Sequence, residues 1–139
     1  MKRYVKSAVM SISDEDPNTK YDLAGEPDPD ILRTLSEDSD DWVVGRVALN
    51  PNTPRQLLTK LSNHHNWGVR YGIAQNTATP IRTLRKLSKD KQYQVRRAVA
   101  LNPSTPREVV ECIAYYDPDG DVRESAFYAL GWSRIRGIP

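Results

Sequence analysis

Val43-Val44-Gly45-Arg46-Val47-Ala48-Leu49-Asn50-Pro51-Asn52-Thr53-Pro54 recurs 26 residues later as Val69-Arg70-Tyr71-Gly72-Ile73-Ala74-Gln75-Asn76-Thr77-Ala78-Thr79-Pro80, and after another 26 as Val95-Arg96-Arg97-Ala98-Val99-Ala100-Leu101-Asn102-Pro103-Ser104-Thr105-Pro106. The stretch that follows repeats too. Thr53-Pro54-x-x-Leu57-Leu58-x-x-Leu61-Ser62 matches Thr79-Pro80-x-x-Thr83-Leu84-x-x-Leu87-Ser88 and Thr105-Pro106-x-x-Val109-Val110-x-x-Ile113-Ala114. Upstream, Ile31-Leu32-x-x-Leu35-Ser36 is a half unit; downstream, Val122-Arg123-x-x-Ala126-Phe127 continues the series after one inserted residue. A fixed period of this length marks stacked supersecondary units, because one unit cannot bury its apolar faces alone.

Each unit reads as two short helices. In the first, Val43/Val47, Val69/Ile73 and Val95/Val99 place branched residues four apart on one face, and the alanine that follows lets a neighbour come close. The asparagine column (Asn50, Asn76, Asn102) ends that helix, with a residue that tolerates the left-handed conformation and satisfies helix-end groups. In the second, Thr53, Thr79 and Thr105 are candidate N-caps with proline at the first helical position, and Gln56 and Glu108 complete capping boxes. Asp28-Pro29 has the same role in the preceding unit. The expected architecture is all-α, a right-handed α-solenoid of 26-residue two-helix repeats over residues 27–132. Residues 1–26 are expected to form an extended arm or cap running into an acidic loop at Asp14–Asn18, and 133–139 a tail. Phe127, Tyr128 and Trp132 supply the bulk that closes a terminal repeat.

The run Val-Arg-x-x-Val-Ala-x-Asn-Pro-x-Thr-Pro followed by Leu-x-x-Leu-Ser/Ala resembles the leucine-rich repeat variant (LRV) family of HEAT-like helical repeats. That resemblance spans about residues 27–130 and implies a right-handed superhelix in which one helix of each pair is short or of the tighter 3₁₀ form. The period is longer than that family's usual unit. The cysteine cluster of its iron–sulfur member has no counterpart, so the resemblance implies no cofactor.

The 139-residue chain carries 20 Lys+Arg against 18 Asp+Glu, but the charges are segregated. Residues 1–41 hold 5 basic and 11 acidic residues, 42–107 hold 12 basic and the single acid Asp90, and 108–139 hold 3 basic and 6 acidic. A basic middle lies between acidic ends. No stretch has the length and apolarity of a membrane span, and the first residues lack an apolar signal core, so a cytoplasmic location is expected without membrane partners. The lone cysteine, Cys112, excludes an intramolecular disulfide and fits a reducing compartment.

Catalytic signatures are missing: there is no phosphate-binding glycine loop, His-Glu-x-x-His, Cys-x-x-Cys or glycine-flanked serine. His64-His65 read as a solvated loop, adjacent side chains being expected to diverge, so no metal site is assigned. Asp117-Pro118-Asp119-Gly120-Asp121 has its glycine at the wrong place for an EF-hand and reads as a turn plus N-cap. Cys112 reads as a partly buried small residue, and Trp67 and Tyr93 as staple or core-lid residues.

The basic set carries the functional expectation. Arg70, Arg96 and Arg123 share one column, and stacking would set them as a ladder about 8–10 Å apart. Aspartates of the preceding loops could pair with them. Arg97, Arg46, Lys60, Arg82 and Lys86 add to the same face, and one acid inside 42–107 cannot neutralise it. The expected function is a non-enzymatic interaction module docking an acidic protein surface. The alternative is nucleic-acid phosphate binding by the same ladder, and a third possibility is self-association through the acidic 14–41 region.

Overall fold

A computed structural model describes residue 12 and residues 15–132. Of the arm or cap expected over residues 1–26, residues 1–11, 13 and 14 lie outside the described residues, as does the tail expected at 133–139. Among those described, the secondary structure is helical throughout: α1 Pro17–Leu23, α2 Pro29–Leu35, α3 Asp41–Leu49, α4 Arg55–Leu61, α5 Trp67–Gln75, α6 Ile81–Leu87, α7 Tyr93–Leu101, α8 Arg107–Tyr116 and α9 Gly120–Ala129. All are α-helices, so the 3₁₀ form implied by the family resemblance is not adopted; the second helix of the pairs built on α3 and α5 is merely the shorter, at 7 residues against 9.

Helix α1 corrects the acidic loop expected at this point. Asp16 accepts from the N–H groups of Asn18 and Thr19, and Pro17 opens the helix, as Asp28 and Pro29 do for α2. The odd-numbered helices pack in series, α1 on α3, α3 on α5, α5 on α7 and α7 on α9, while each even-numbered helix packs against the odd-numbered helix that follows it. One apolar core runs through all of them. Val43, Val44, Val47, Val69, Ile73, Val95, Val99 and Val122 face Ile31, Leu32, Leu58, Leu84, Leu87 and Ile113, all 5% exposed or less. Gly72 shows how close the first helices come: a Cβ there would lie 2.9 Å from the Ala48 Cβ.

The polar joints between units differ from the expected caps. Asn50, Asn76 and Asn102 are not left-handed; all three are extended, with φ near −70° and ψ near 120°. Their amides reach back instead. Asn76 Nδ2 donates to the carbonyls of Ala48 (2.8 Å) and Asn50 (2.9 Å), Asn102 Nδ2 to Ala74 (2.7 Å) and Asn76 (3.0 Å), and Asn50 Nδ2 to Ala24 (2.9 Å) and Glu26 (2.7 Å). Each Oδ1 accepts the N–H two residues on. A buried asparagine thus links its own turn to the turn one unit earlier.

The threonines do not cap the helices after them. Thr53, Thr79 and Thr105 donate their hydroxyls to the carbonyls of Val47, Ile73 and Val99, at 2.6, 2.7 and 2.7 Å. Those carbonyls lie in the last turn of the preceding helix and accept the threonine hydroxyl beside the N–H of Asn50, Asn76 or Asn102, whereas α4, α6 and α8 begin at exposed residues. The prolines sit at the N-cap, one place earlier than expected, and no side chain caps these three helices.

Candidate functional site

The arginine column is internal. Arg70 is 7% exposed; its Nε and Nη2 fork onto Asp90 at 2.8 and 3.2 Å, and its Nη1 donates to the carbonyls of His64 (2.8 Å) and His65 (3.1 Å). Arg96 repeats the pattern one unit later, forking onto Asp117 and reaching the Asp90 carbonyl. Arg123 retains only the carbonyl contact, to Asp117 at 2.6 Å. Asp90 and Asp117 also accept the N–H of Gln92 and Asp119, so one carboxylate closes its own turn and holds an arginine of the preceding unit. This corrects the expected ladder: Arg70 and Arg96 are withdrawn from a partner, and their aspartates come from the loop ahead, not the loop behind. A buried arginine next to a bidentate carboxylate has no hydrogen left to offer a phosphate on its forked edge.

The remaining cations divide between two faces. Arg46 and Arg97 lie on the odd-numbered helices, Arg46 over the Tyr21 ring at 4.9 Å and Arg97 against Ser125 Oγ at 3.0 Å. They line a run of three hollows of about 410, 330 and 550 Å³, the first and second sharing Tyr71 and Gln75 as walls and the second and third sharing Tyr93, Arg97 and Leu101. Trp67 and Tyr93, expected as lids on the core, are over 40% exposed here, and Trp42 is 71% exposed. The column Leu49, Gln75, Leu101 carried the signal for this face, since its residue types do not keep to one polarity.

On the even-numbered helices, Arg82, Arg85, Lys86 and Lys89 follow one another at i, i+3, i+4 and i+7 along α6 and the turn after it, all exposed. Lys86 Nζ donates to Ser62 Oγ at 3.2 Å and to Asn63 Oδ1, neither of them charged. Among the described residues only Arg85 of the four has a carboxylate partner, Glu108. Lys60 on α4 pairs with Glu37 at 3.2 Å. The flanks are of mixed sign: α8 presents Glu108 and Glu111 with Arg107, and α2 presents Asp30 with Arg33 and Glu37 just beyond it, each acid ion-paired. The basic surface is densest on α6.

His64 and His65 do not diverge. Their rings stack with centroids 4.3 Å apart, and both face Asp41, His64 Nε2 at 3.7 Å from Oδ1 and His65 Nε2 at 3.5 Å from Oδ2. Burial, the neighbouring His65 and Arg70 hold the His64 ring below its ordinary pKa against the opposing pull of Asp41, leaving it neutral at pH 7. In the stretch that resembles a calcium loop, Asp117 holds Arg96 and Asp119 caps α9. Cys112 is exposed, not partly buried, and lines a hollow with Asp90, Arg96 and Tyr116.

No protein-family model matches the chain, and no curated protein matches it. No described helix is long and apolar enough to cross a membrane.

Proposed function

We propose that this chain is a non-enzymatic helical-repeat module, a right-handed solenoid of the LRV type acting in the cytoplasm, which docks an acidic element of a partner protein on α6. The observation that carries this is the stripe Arg82, Arg85, Lys86 and Lys89, exposed, at helical spacing, with one carboxylate partner for the four among the described residues. About 10 Å of helix separates its ends, the length of two turns of a facing acidic helix. A compact partner is favoured over a long duplex because the unpaired cations are confined to α6 and the turn after it, while the charges of the flanks, Arg107 with Glu111 and Arg33 with Asp30, are paired among themselves.

Fluorescence anisotropy with a labelled glutamate-rich helical peptide, and with duplex and single-stranded DNA of similar charge, tests this. The peptide is expected to bind, and the Arg82/Lys86/Lys89→Glu variant to lose at least about tenfold in affinity, equivalent to about 1.4 kcal/mol. Arg70→Lys should leave peptide affinity unchanged, since that side chain faces inward. Binding of DNA with none of the peptide would replace the protein partner by nucleic acid. A dimeric mass at low salt, falling to monomer in the charge-reversal variant, would identify the acidic element as that of a second copy.

A further inference from the structure

The loop between α4 and α5 and the start of α3 bring three metal-binding side chains to one point, on a region of the surface that owes nothing to the α6 stripe. We propose that Asp41, His64 and His65 bind one divalent transition-metal ion of the zinc type, through two imidazoles and a carboxylate, with the remaining coordination positions open to water. One donor atom from each residue lies within 4.8 Å of the other two. A tetrahedral zinc ion with bonds of about 2.0–2.1 Å holds its donors about 3.3 Å apart. His64 Nε2 lies 3.7 Å from Asp41 Oδ1 and His65 Nε2 3.5 Å from Asp41 Oδ2, so each ring is near that separation from its own oxygen of the carboxylate, and a small turn of the Asp41 carboxylate brings one oxygen between the two rings.

The site is braced from behind. Arg70, itself locked on Asp90, donates to the backbone carbonyls of both histidines, which fixes the turn that carries them. Asn66 Nδ2 donates to Asp41 Oδ2 at 2.9 Å and orients the carboxylate, the role an outer-shell amide plays around a metal ligand. The Arg70 charge, which helps lower the His64 pKa, also opposes a cation here, and the Asp90 carboxylate forked onto it offsets part of that repulsion. Two nitrogens and one carboxylate suit zinc, copper, nickel or cobalt; magnesium and calcium require a set of oxygens that these residues do not supply. His65 is the open side, with its side chain 80% exposed.

One rearrangement accompanies binding. The Asn66 N–H donates to His64 Nδ1 at 3.1 Å, so without metal the ring's proton sits on Nε2, facing Asp41. Coordination through Nε2 moves that proton to Nδ1 and gives up the bond from Asn66, with no net proton released by the ring. Affinity is accordingly weaker than that of a closed four-ligand site.

The chain has only two histidines, so their imidazole C–H signals report on this site alone. Titrating the untagged full chain with zinc, by calorimetry and proton NMR, should give one equivalent bound and both imidazole sets shifted. Magnesium and calcium should move neither. His65→Gln, at an exposed position, and Asp41→Asn should each weaken zinc at least about tenfold while keeping the helical circular dichroism spectrum, and Cys112→Ser should bind as the parent does. Imidazole signals unmoved by zinc up to about 1 mM, affinity unchanged in His65→Gln, or affinity lost in Cys112→Ser would each overturn the proposal.

Discussion

Asn76 is 4% exposed and makes three hydrogen bonds, two of them to carbonyls of the unit before it. Replacing it by alanine takes the side-chain partner from the Ala48 carbonyl and the Ala78 N–H and one of two donors from the Asn50 carbonyl, which keeps the Thr53 N–H, a cost of about 2–4 kcal/mol where each unpaired buried group costs about 1–3. Asn76→Asp is expected to cost more at neutral pH, because a carboxylate cannot donate to the Ala48 and Asn50 oxygens and would set a negative charge against them. Chemical denaturation of both variants, with aspartate less stable than alanine, checks the direction of the bonds as well as their presence. Asparagine was visible in the sequence as a column, but its reach was not. A residue that ends a helix by turning left-handed and one that ends it by gripping a neighbour look the same in one copy, and the acceptors lie 24–28 positions away.

The close stacking of the odd-numbered helices sets a contrast between two glycines. Gly45 in α3 has nothing within 4 Å of a prospective Cβ, whereas at Gly72 in α5 the Ala48 Cβ would be 2.9 Å away. Gly45→Ala should stabilise the protein by roughly 0.5–1 kcal/mol, by restricting the unfolded chain and improving helix propensity. Gly72→Ala should instead lose about 1–3 kcal/mol, as α3 and α5 are pushed apart. Opposite shifts in thermal midpoint for the same chemical change would verify the packing. Helix α1 escaped the sequence reading because its apolar signal is thin, only Leu23 being buried, although Asp16-Pro17 carries the same start signal as Asp28-Pro29. The other helices were legible since both of their signals, branched residues four apart and proline at the entry, are local. The stacked histidines were missed for a related reason: divergence of neighbours holds along a regular helix or strand, and His64 to Asn66 is a turn closed by the His64 ring itself.

Over the whole molecule, the segregation of charge along the sequence is partly undone by folding. Lys60–Glu37, Arg85–Glu108 and Arg96–Asp117 each join the basic middle to an acidic end. Lys20 and Asp38 make a further joint at 2.9 Å, between α1 and the loop before α3, with both side chains largely buried. Burial pushes the Asp38 carboxyl upward, but hydrogen bonds from Lys20 and the Asp40 N–H, with the Lys20 charge, outweigh it and hold the pKa below the ordinary carboxylate value. A carboxyl lowered on folding contributes stability that is complete above its unfolded pKa, near 4, and is lost as the pH falls through the folded value. Asp38→Asn should therefore lower the thermal midpoint at pH 6 and make little difference at pH 2, a convergence that melts across that range would show. Serial packing of the helices was readable from the repeat; the exposed basic stripe was not, because the arginine column that looks like a surface ladder braces the loops, while Arg82, Arg85, Lys86 and Lys89, on α6 and the turn after it, form no repeat-wide column.

The asparagine joints have a bearing on how such a chain changes over generations. Each amide grips main-chain oxygens, which every amino acid supplies, so what it requires of the preceding unit is a shape and not a sequence. A copying error that adds or drops one whole unit would return every donor to an acceptor of the same kind, and the side chains of the new neighbour could then drift. Length is therefore the dimension this protein is freest to alter, and the Ala24 and Glu26 carbonyls, which serve Asn50 from a segment outside the repeat, show the grip already tolerating an unrelated neighbour.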